Sequence, residues 1–148
     1  RKITRGLARI NEGLDSILYM GNIDAKRDWG HAKDYVEAMW LMLRQKKPQD
    51  FVIATGKQTT VKNFINKVAK KLDMKVFWKG KGANERGVDK NGKTIVACDK
   101  AYYRPLEVNN LLGSAKKARK HLNWKPKTNV DMLISEMVQS ELNKISYI

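Results

Sequence analysis

The chain has 148 residues, 42% of them hydrophobic, with 30 Lys/Arg against 15 Asp/Glu and a formal net charge of +15. That length supports one compact domain with its own core. A single cysteine, Cys98, excludes an internal disulfide and a Cys-based zinc site, and two histidines besides leave too few ligands for a structural metal.

Ile3, Leu7, Ile10 and Leu14 recur at helical spacing with Arg and Asn between them, so residues 2–13 read as an amphipathic helix that Gly13 stops. Ile17–Met20 is a short strand and Gly21-Asn22 turns the chain. Asp28–Gly30 reads as a loop, followed by a strong helix over 31–45 marked by Ala32, Tyr35, Val36, Met39, Trp40 and Leu43. Asp50–Gly56 reads as a buried strand running into a glycine turn. Thr59 and Thr60 are N-cap candidates for a helix carried by Val61, Phe64, Ile65, Val68, Ala69 and Leu72. Lys75–Trp78 is a strand, 79–93 a polar loop or hairpin tip, and Thr94–Ala97 another strand. Ser114 caps a helix over 115–121, Asn123–Pro126 is a turn, and Val130 to Leu142 closes the chain as a helix. Helices and strands alternate, which argues for an α/β fold.

Charge is uneven. Residues 57–93 hold eleven Lys/Arg against three acids, and residues 116–127 hold six with no acid. Such a surface attracts anions. Most of these cations are lysines at helix-surface spacing, which fits a solvated face. Single-strand nucleic-acid binding asks for aromatics interleaved with the cations, and here the aromatics fall in apolar runs. No run of about 18 apolar residues exists, so no membrane span is expected. Arg1–Gly6 has no apolar core of a signal peptide, and a reducing, cytoplasmic setting is expected. The chain opens without Met and inside a helical pattern, so a preceding segment is expected.

Several motifs fail on context. Gly87–Thr94 matches the P-loop spacing, but polar residues precede it and a β-branched strand follows, whereas a P-loop needs a strand before and a helix after. Asn91-Gly92 is instead a favoured two-residue hairpin turn. There is no Gly-x-Gly-x-x-Gly, no Tyr followed four residues later by Lys, and no Gly-x-Ser-x-Gly elbow. Cys98, at the end of an apolar strand, reads as a buried bystander, and His121 as a surface residue.

Two constellations remain. Arg27, Asp28, Trp29 and His31 crowd around Gly30 at the mouth of a helix. Tyr102-Tyr103-Arg104-Pro105-Leu106-Glu107-Val108 sets an Arg and a Glu on either side of a proline. A guanidinium is a fork for phosphate and a carboxylate accepts from ribose hydroxyls, so the pair suits a nucleoside diphosphate. A local Arg–Glu surface pair is the alternative.

At these residues the chain resembles the GDP-mannose 4,6-dehydratase family of extended short-chain dehydrogenase/reductases. The resemblance is carried by Leu18–Val36, Asp50–Gly56, Tyr103–Val108 with Leu111–Gly113, and Asn123–Pro126, and is weakest in 79–93 and at the C-terminus. One departure is Gly113-Ser114, where an acidic residue usually follows the glycine. The resemblance implies the C-terminal part of an NAD(P)-binding Rossmann-type enzyme. Residues 1–56 would be the last helices and strands of the Rossmann domain, and 57–148 mostly the smaller substrate-binding domain. It implies conversion of GDP-mannose to GDP-4-dehydro-6-deoxymannose through NADP, with the acid/base machinery outside these residues and no catalytic residue within them. The substrate contacts it implies are Lys2, Arg27, Arg104 and Glu107, with Asp28, Trp29 and His31 as the supporting shell. A homo-oligomer, dimer or tetramer, is implied for the full-length enzyme. The rival expectations are a basic nucleic-acid-binding module and a related nucleotide-sugar reductase or epimerase.

Overall fold

A computed structural model describes residues 1–103, 108 and 110–147. Helix α1 spans Lys2–Asn11 and buries Ile3, Thr4, Leu7 and Ala8, the stripe that the spacing demands. Strand β1 (Leu18–Met20) follows, then β2 (Lys26–Asp28) and α2 (Ala32–Leu43). Next come β3 (Gln58–Thr60) and α3 (Val61–Lys71), whose N-cap Thr60 accepts a 3.0 Å hydrogen bond from the Asn63 amide. Strands β4 (Phe77–Lys79), β5 (Arg86–Val88) and β6 (Thr94–Cys98) precede α4 (Lys116–Leu122) and α5 (Val130–Ile145). None of these helices is long and apolar enough to cross a membrane, among the described residues.

The strands form two sheets. The larger has the order β1-β6-β5-β4, with β1 parallel to β6 (Tyr19 opposite Ala97) and the other pairs antiparallel. The smaller pairs β2 with β3 antiparallel, Arg27 opposite Thr59. Helices α1, α3 and α5 join β1 and β6 in the main core, around Leu7, Phe64, Ile65, Val68, Val96 and Ile134. A second cluster joins α2 to α4 through Ala38, Ala118, Leu122 and Trp124, with Phe51 and Ile53 packed against it. Buried Asp34 ties the two ends of that unit together. Its carboxylate accepts from the Lys127 and Thr128 amides at 3.0 and 2.9 Å, and its carbonyl accepts from the Trp124 indole at 2.8 Å.

Five expectations need correction, the first being that Asp28 ends strand β2, opposite Gln58, rather than opening a loop. Asp50–Gly56 is in no ladder with a described strand, and Val52 is exposed although Phe51 and Ile53 turn inward. A strand pattern states which faces want burial, but the ladder also needs a neighbour. The stretch 79–93 is not all loop, since Arg86–Val88 is the strand between β4 and β6. The turn after it spans three residues rather than two. The Asp89 amide donates to the Lys93 carbonyl, the Gly92 amide to the Asp89 carbonyl, and Gly92 takes φ 81°. With Gly87 inside β5 and Thr94 opening β6, the P-loop look-alike is a β-hairpin. Lastly, Ala115 rather than Ser114 occupies the N-cap of α4, and no side chain caps it.

Candidate functional site

Tyr102, Val108 and Asn110, described residues of the second constellation and just beyond it, are each met by a cation or a strand from elsewhere in the chain. This segment, 102–110, is entered through a turn capped by Asp99, whose carboxylate accepts from the Ala101 amide at 2.9 Å. The Tyr102 carbonyl lies where a Cβ on Gly21 would collide with it, so the glycine after β1 is what admits this segment. The Lys2 ammonium sits 3.8 Å from the centre of the Tyr102 ring, a cation–π contact that joins α1 to the segment. At the far end, Arg27 Nη1 donates at 2.8 Å to the Val108 carbonyl and at 2.8 Å to the Lys26 carbonyl. Lys26 also bridges Asn110 in parallel. Lys2 and Arg27 thus hold opposite ends of one segment. Arg104 and Glu107, between those ends in sequence, lie outside the described residues.

Two clefts flank the segment. The larger, about 690 Å³, is lined by Arg1 and by Lys2, Arg5 and Arg9 of α1, together with Tyr19 and Tyr102. Arg9 is neutralised there by Asp15, bonded at 2.7 and 3.0 Å, and that contact holds the Asp15 carboxyl below its usual range. The smaller, about 440 Å³, is lined by Asn22, Asp24, Lys26, Gly82, Tyr103 and Asn110. The adjacent tyrosines 102 and 103 therefore border different clefts. Sequence reasoning missed the α1 arginines and Tyr19 as a group. The signal was present: positions 1, 5 and 9 repeat every four residues on the face opposite Ile3 and Leu7.

Asp28, Trp29 and His31 act through the backbone around Arg27. Asp28 accepts three hydrogen bonds, from the Thr55 amide (3.0 Å), the Thr55 hydroxyl (2.5 Å) and the Gly56 amide (2.8 Å). Trp29 stacks on Phe64 at 4.2 Å and donates to the Thr59 carbonyl at 3.4 Å, fixing β2 to β3 and α3. His31 is the N-cap of α2. Its Nδ1 accepts from the Lys33 amide at 3.0 Å, which leaves Nε2 as the protonated nitrogen facing Glu136 at 3.1 Å. Gly30 is required because a Cβ there would strike the Tyr35 hydroxyl. This imidazole is a fastener between α2 and α5.

The other sequence candidates fall away from the clefts. Cys98 ends β6, half-buried, and its thiol is pushed up first by burial and then by Glu85 and Asp24. His121 is exposed on α4 beside Phe51. Among the described residues no group of three His, Cys, Asp or Glu converges as a metal site would require.

A family model described as "GDP-mannose 4,6 dehydratase" matches residues 1–137. The GDP-mannose 4,6 dehydratase of Dictyostelium discoideum is 53% identical over 146 residues, covering 98% of this chain and 41% of that protein. The Homo sapiens protein of the same name is 50% identical over 143 residues, covering 96% and 38%. The chain thus spans about two-fifths of the length of the curated relatives it matches, corresponding to their C-terminal portion. Among solved structures, RMD from Pseudomonas aeruginosa complexed with NADPH superposes with a TM-score of 0.73 over 96% of this chain and 41% of that one, at 17% identity. That likeness shows a shared α/β fold. With its α/β architecture and residues 1–137 matched, the chain belongs to the GDP-mannose 4,6-dehydratase family.

Proposed function

We propose that these residues supply the GDP-sugar-binding part of an enzyme that converts GDP-mannose to GDP-4-dehydro-6-deoxymannose and water. The observation that carries this reading is the pair of cations on one segment, Lys2 at Tyr102 and Arg27 at Val108, with Lys2 also lining a basic cleft that includes Tyr19 and Tyr102. Cations suit a pyrophosphate and aromatic faces suit a base. Lys2 and Arg27 neutralise or order the diphosphate, and Arg104 and Glu107 take the phosphate and the ribose. Charge-assisted bonds of this kind are worth about 1.5–3 kcal/mol each. Asp28, Trp29 and His31 keep β2 in the register that presents Arg27.

NADP supplies the hydride acceptor and donor of the internal redox cycle. The chain has no Gly-x-Gly-x-x-Gly turn to hold a dinucleotide, so the cofactor is assigned to the part of the relatives' length that these residues do not span. In this reading residues 1–56 belong with the nucleotide domain and residues 57–148 mostly with the substrate domain, although α1 and β1 pack with α3, β6 and α5, and α4 packs with α2. The complete enzyme works in the cytoplasm as a homo-oligomer, dimer or tetramer.

The test is kinetic. In the complete enzyme, Arg104→Ala is expected to raise the KM for GDP-mannose at least tenfold, a loss of about 1.4 kcal/mol or more. The 148 residues alone, given NADP, are expected to turn over no GDP-mannose. An unchanged KM or measurable turnover by the isolated chain counts against the assignment.

A further inference from the structure

The tip of the hairpin between β5 and β6 carries Asn91-Gly92, the only asparagine in the sequence that is followed by glycine. The Asp89 amide donates to the Lys93 carbonyl at 2.9 Å, and the Gly92 amide to the Asp89 carbonyl at 3.1 Å. The Asp89 carboxylate accepts from the Asn91 amide at 2.8 Å and from the Lys93 amide at 2.9 Å. The backbone of Asn91 is thus held, while its carboxamide has no partner among the described residues. Lys90, Asn91, Gly92 and Lys93 are all exposed.

The glycine serves the fold. Gly92 takes φ 81°, a left-handed conformation that side chains resist. A Cβ built on it would meet nothing within 4 Å, so the position is open to solvent base and water. The residue that the turn demands is therefore also the one whose nitrogen stands unshielded beside the Asn91 carboxamide. The single tie on that nitrogen, to the Asp89 carbonyl, lies at an exposed tip, where local opening is cheap. Lys90 and Lys93 flank the pair in sequence, and neighbouring cations favour loss of a proton. The acid beside them, Asp89, has Oδ1 occupied by two amides.

We propose that Asn91-Gly92 is a self-modifying site, at which the folded protein deamidates and becomes a substrate for a carboxyl methyltransferase that recognises isoaspartyl residues. The Gly92 amide gives its proton to solvent base, and its nitrogen attacks Asn91 Cγ. A new C–N bond forms, the C–N bond of the carboxamide breaks, and the leaving nitrogen takes a proton and departs as ammonia. Water then opens the cyclic imide. Opening at Cγ leaves an aspartate on the normal backbone, and opening at the main-chain carbonyl leaves an isoaspartate whose backbone runs through the former side chain. Nothing is oxidised or reduced. Either product adds a negative charge to the stretch 57–93, which holds eleven cations against three acids. The proposal does not depend on GDP-mannose as substrate, so either can fail without the other.

The complete enzyme that carries these residues is kept folded at physiological temperature, and the peptide containing residue 91 is followed by mass spectrometry. The mass shift of amide to carboxylate is expected there, at a rate that rises about tenfold per pH unit because the attacking species has lost one proton. The folded enzyme is expected to keep at least about a tenth of the rate of a synthetic peptide of residues 86–98, a barrier difference within about 1.4 kcal/mol. The aged enzyme is expected to accept methyl groups from S-adenosylmethionine at the same peptide when an isoaspartyl methyltransferase is added. Asn91→Gln keeps Gly92 and the turn but has to close a larger ring, and is expected to lose about nine-tenths or more of both signals, a barrier raised by about 1.4 kcal/mol or more. A mass shift that appears only in unfolded enzyme, a folded rate below that fraction of the peptide's, or an equal shift in Asn91→Gln overturns the proposal. So does a shift without methyl acceptance.

Discussion

Arg27 and Asp28 are neighbours on β2 with opposite duties. Arg27 reaches forward to the Val108 carbonyl, while Asp28 reaches back to the amides of Thr55 and Gly56. Alternation along a strand sends adjacent side chains to opposite sides, which is how one short strand serves both. The sequence showed a dense polar cluster there, but its division of labour depends on contacts 27 and 81 residues away that no local pattern encodes. Cys98 was legible in part: its place at the end of an apolar strand is local, but it is half-buried rather than buried, and its charged neighbours come from other elements. It ends an apolar strand, and burial together with Glu85 and Asp24 raises its thiol above the ordinary value. The thiolate is the nucleophile, so the raised value lowers reactivity at neutral pH. Alkylation of Cys98 by iodoacetamide at pH 7.5 is expected to be slower than that of a free cysteine peptide, and to climb only as pH passes the ordinary thiol range. An equal or faster rate contradicts this.

Among the elements, helices were more legible than strands. The stripes of α1, α3 and α5 are long enough for a 3.6-residue period to declare itself, and Thr60 announces α3 as its cap. The strands β2, β3 and β5 have three residues each, and Lys26–Asp28 and Gln58–Thr60 are wholly polar, so a period of two has nothing to mark. Their pairing is decided by tertiary neighbours. The reverse failure, Asp50–Gly56, has the pattern without a ladder to any described strand. At the start of α2, His31 takes the cap position usually held by Ser, Thr, Asp or Asn. His31→Ala is expected to cost about 0.5–2 kcal/mol by removing the cap, and more if the loss leaves Glu136 without its imidazole. His31→Asn restores an acceptor for the Lys33 amide and is expected to recover part of that loss in denaturant unfolding. Equal stability of the alanine variant and the parent contradicts a capping role.

At the scale of the molecule, the charge of +15 is arranged on a surface that neutralises part of itself. Lys62 pairs with Glu85, Lys67 with Asp131, Lys127 with Glu37 and Lys144 with Glu141. These pairs are scattered over several elements, whereas Arg1, Lys2, Arg5 and Arg9 converge on one cleft. The α/β class was readable from the alternation of elements. The site was only half readable: side-chain chemistry marked Arg27 and the Tyr102–Val108 stretch as separate constellations, but they are distant in sequence, and only the likeness to a family added Lys2 and joined them. Titration of GDP into the enzyme that carries these residues tests the account most directly. The account predicts saturable binding that survives moderate salt and weakens about tenfold or more in both Lys2→Ala and Arg27→Ala, about 1.4 kcal/mol each. Absence of saturation by GDP contradicts it, as does binding to nucleic acid that falls steeply with salt and ignores guanosine.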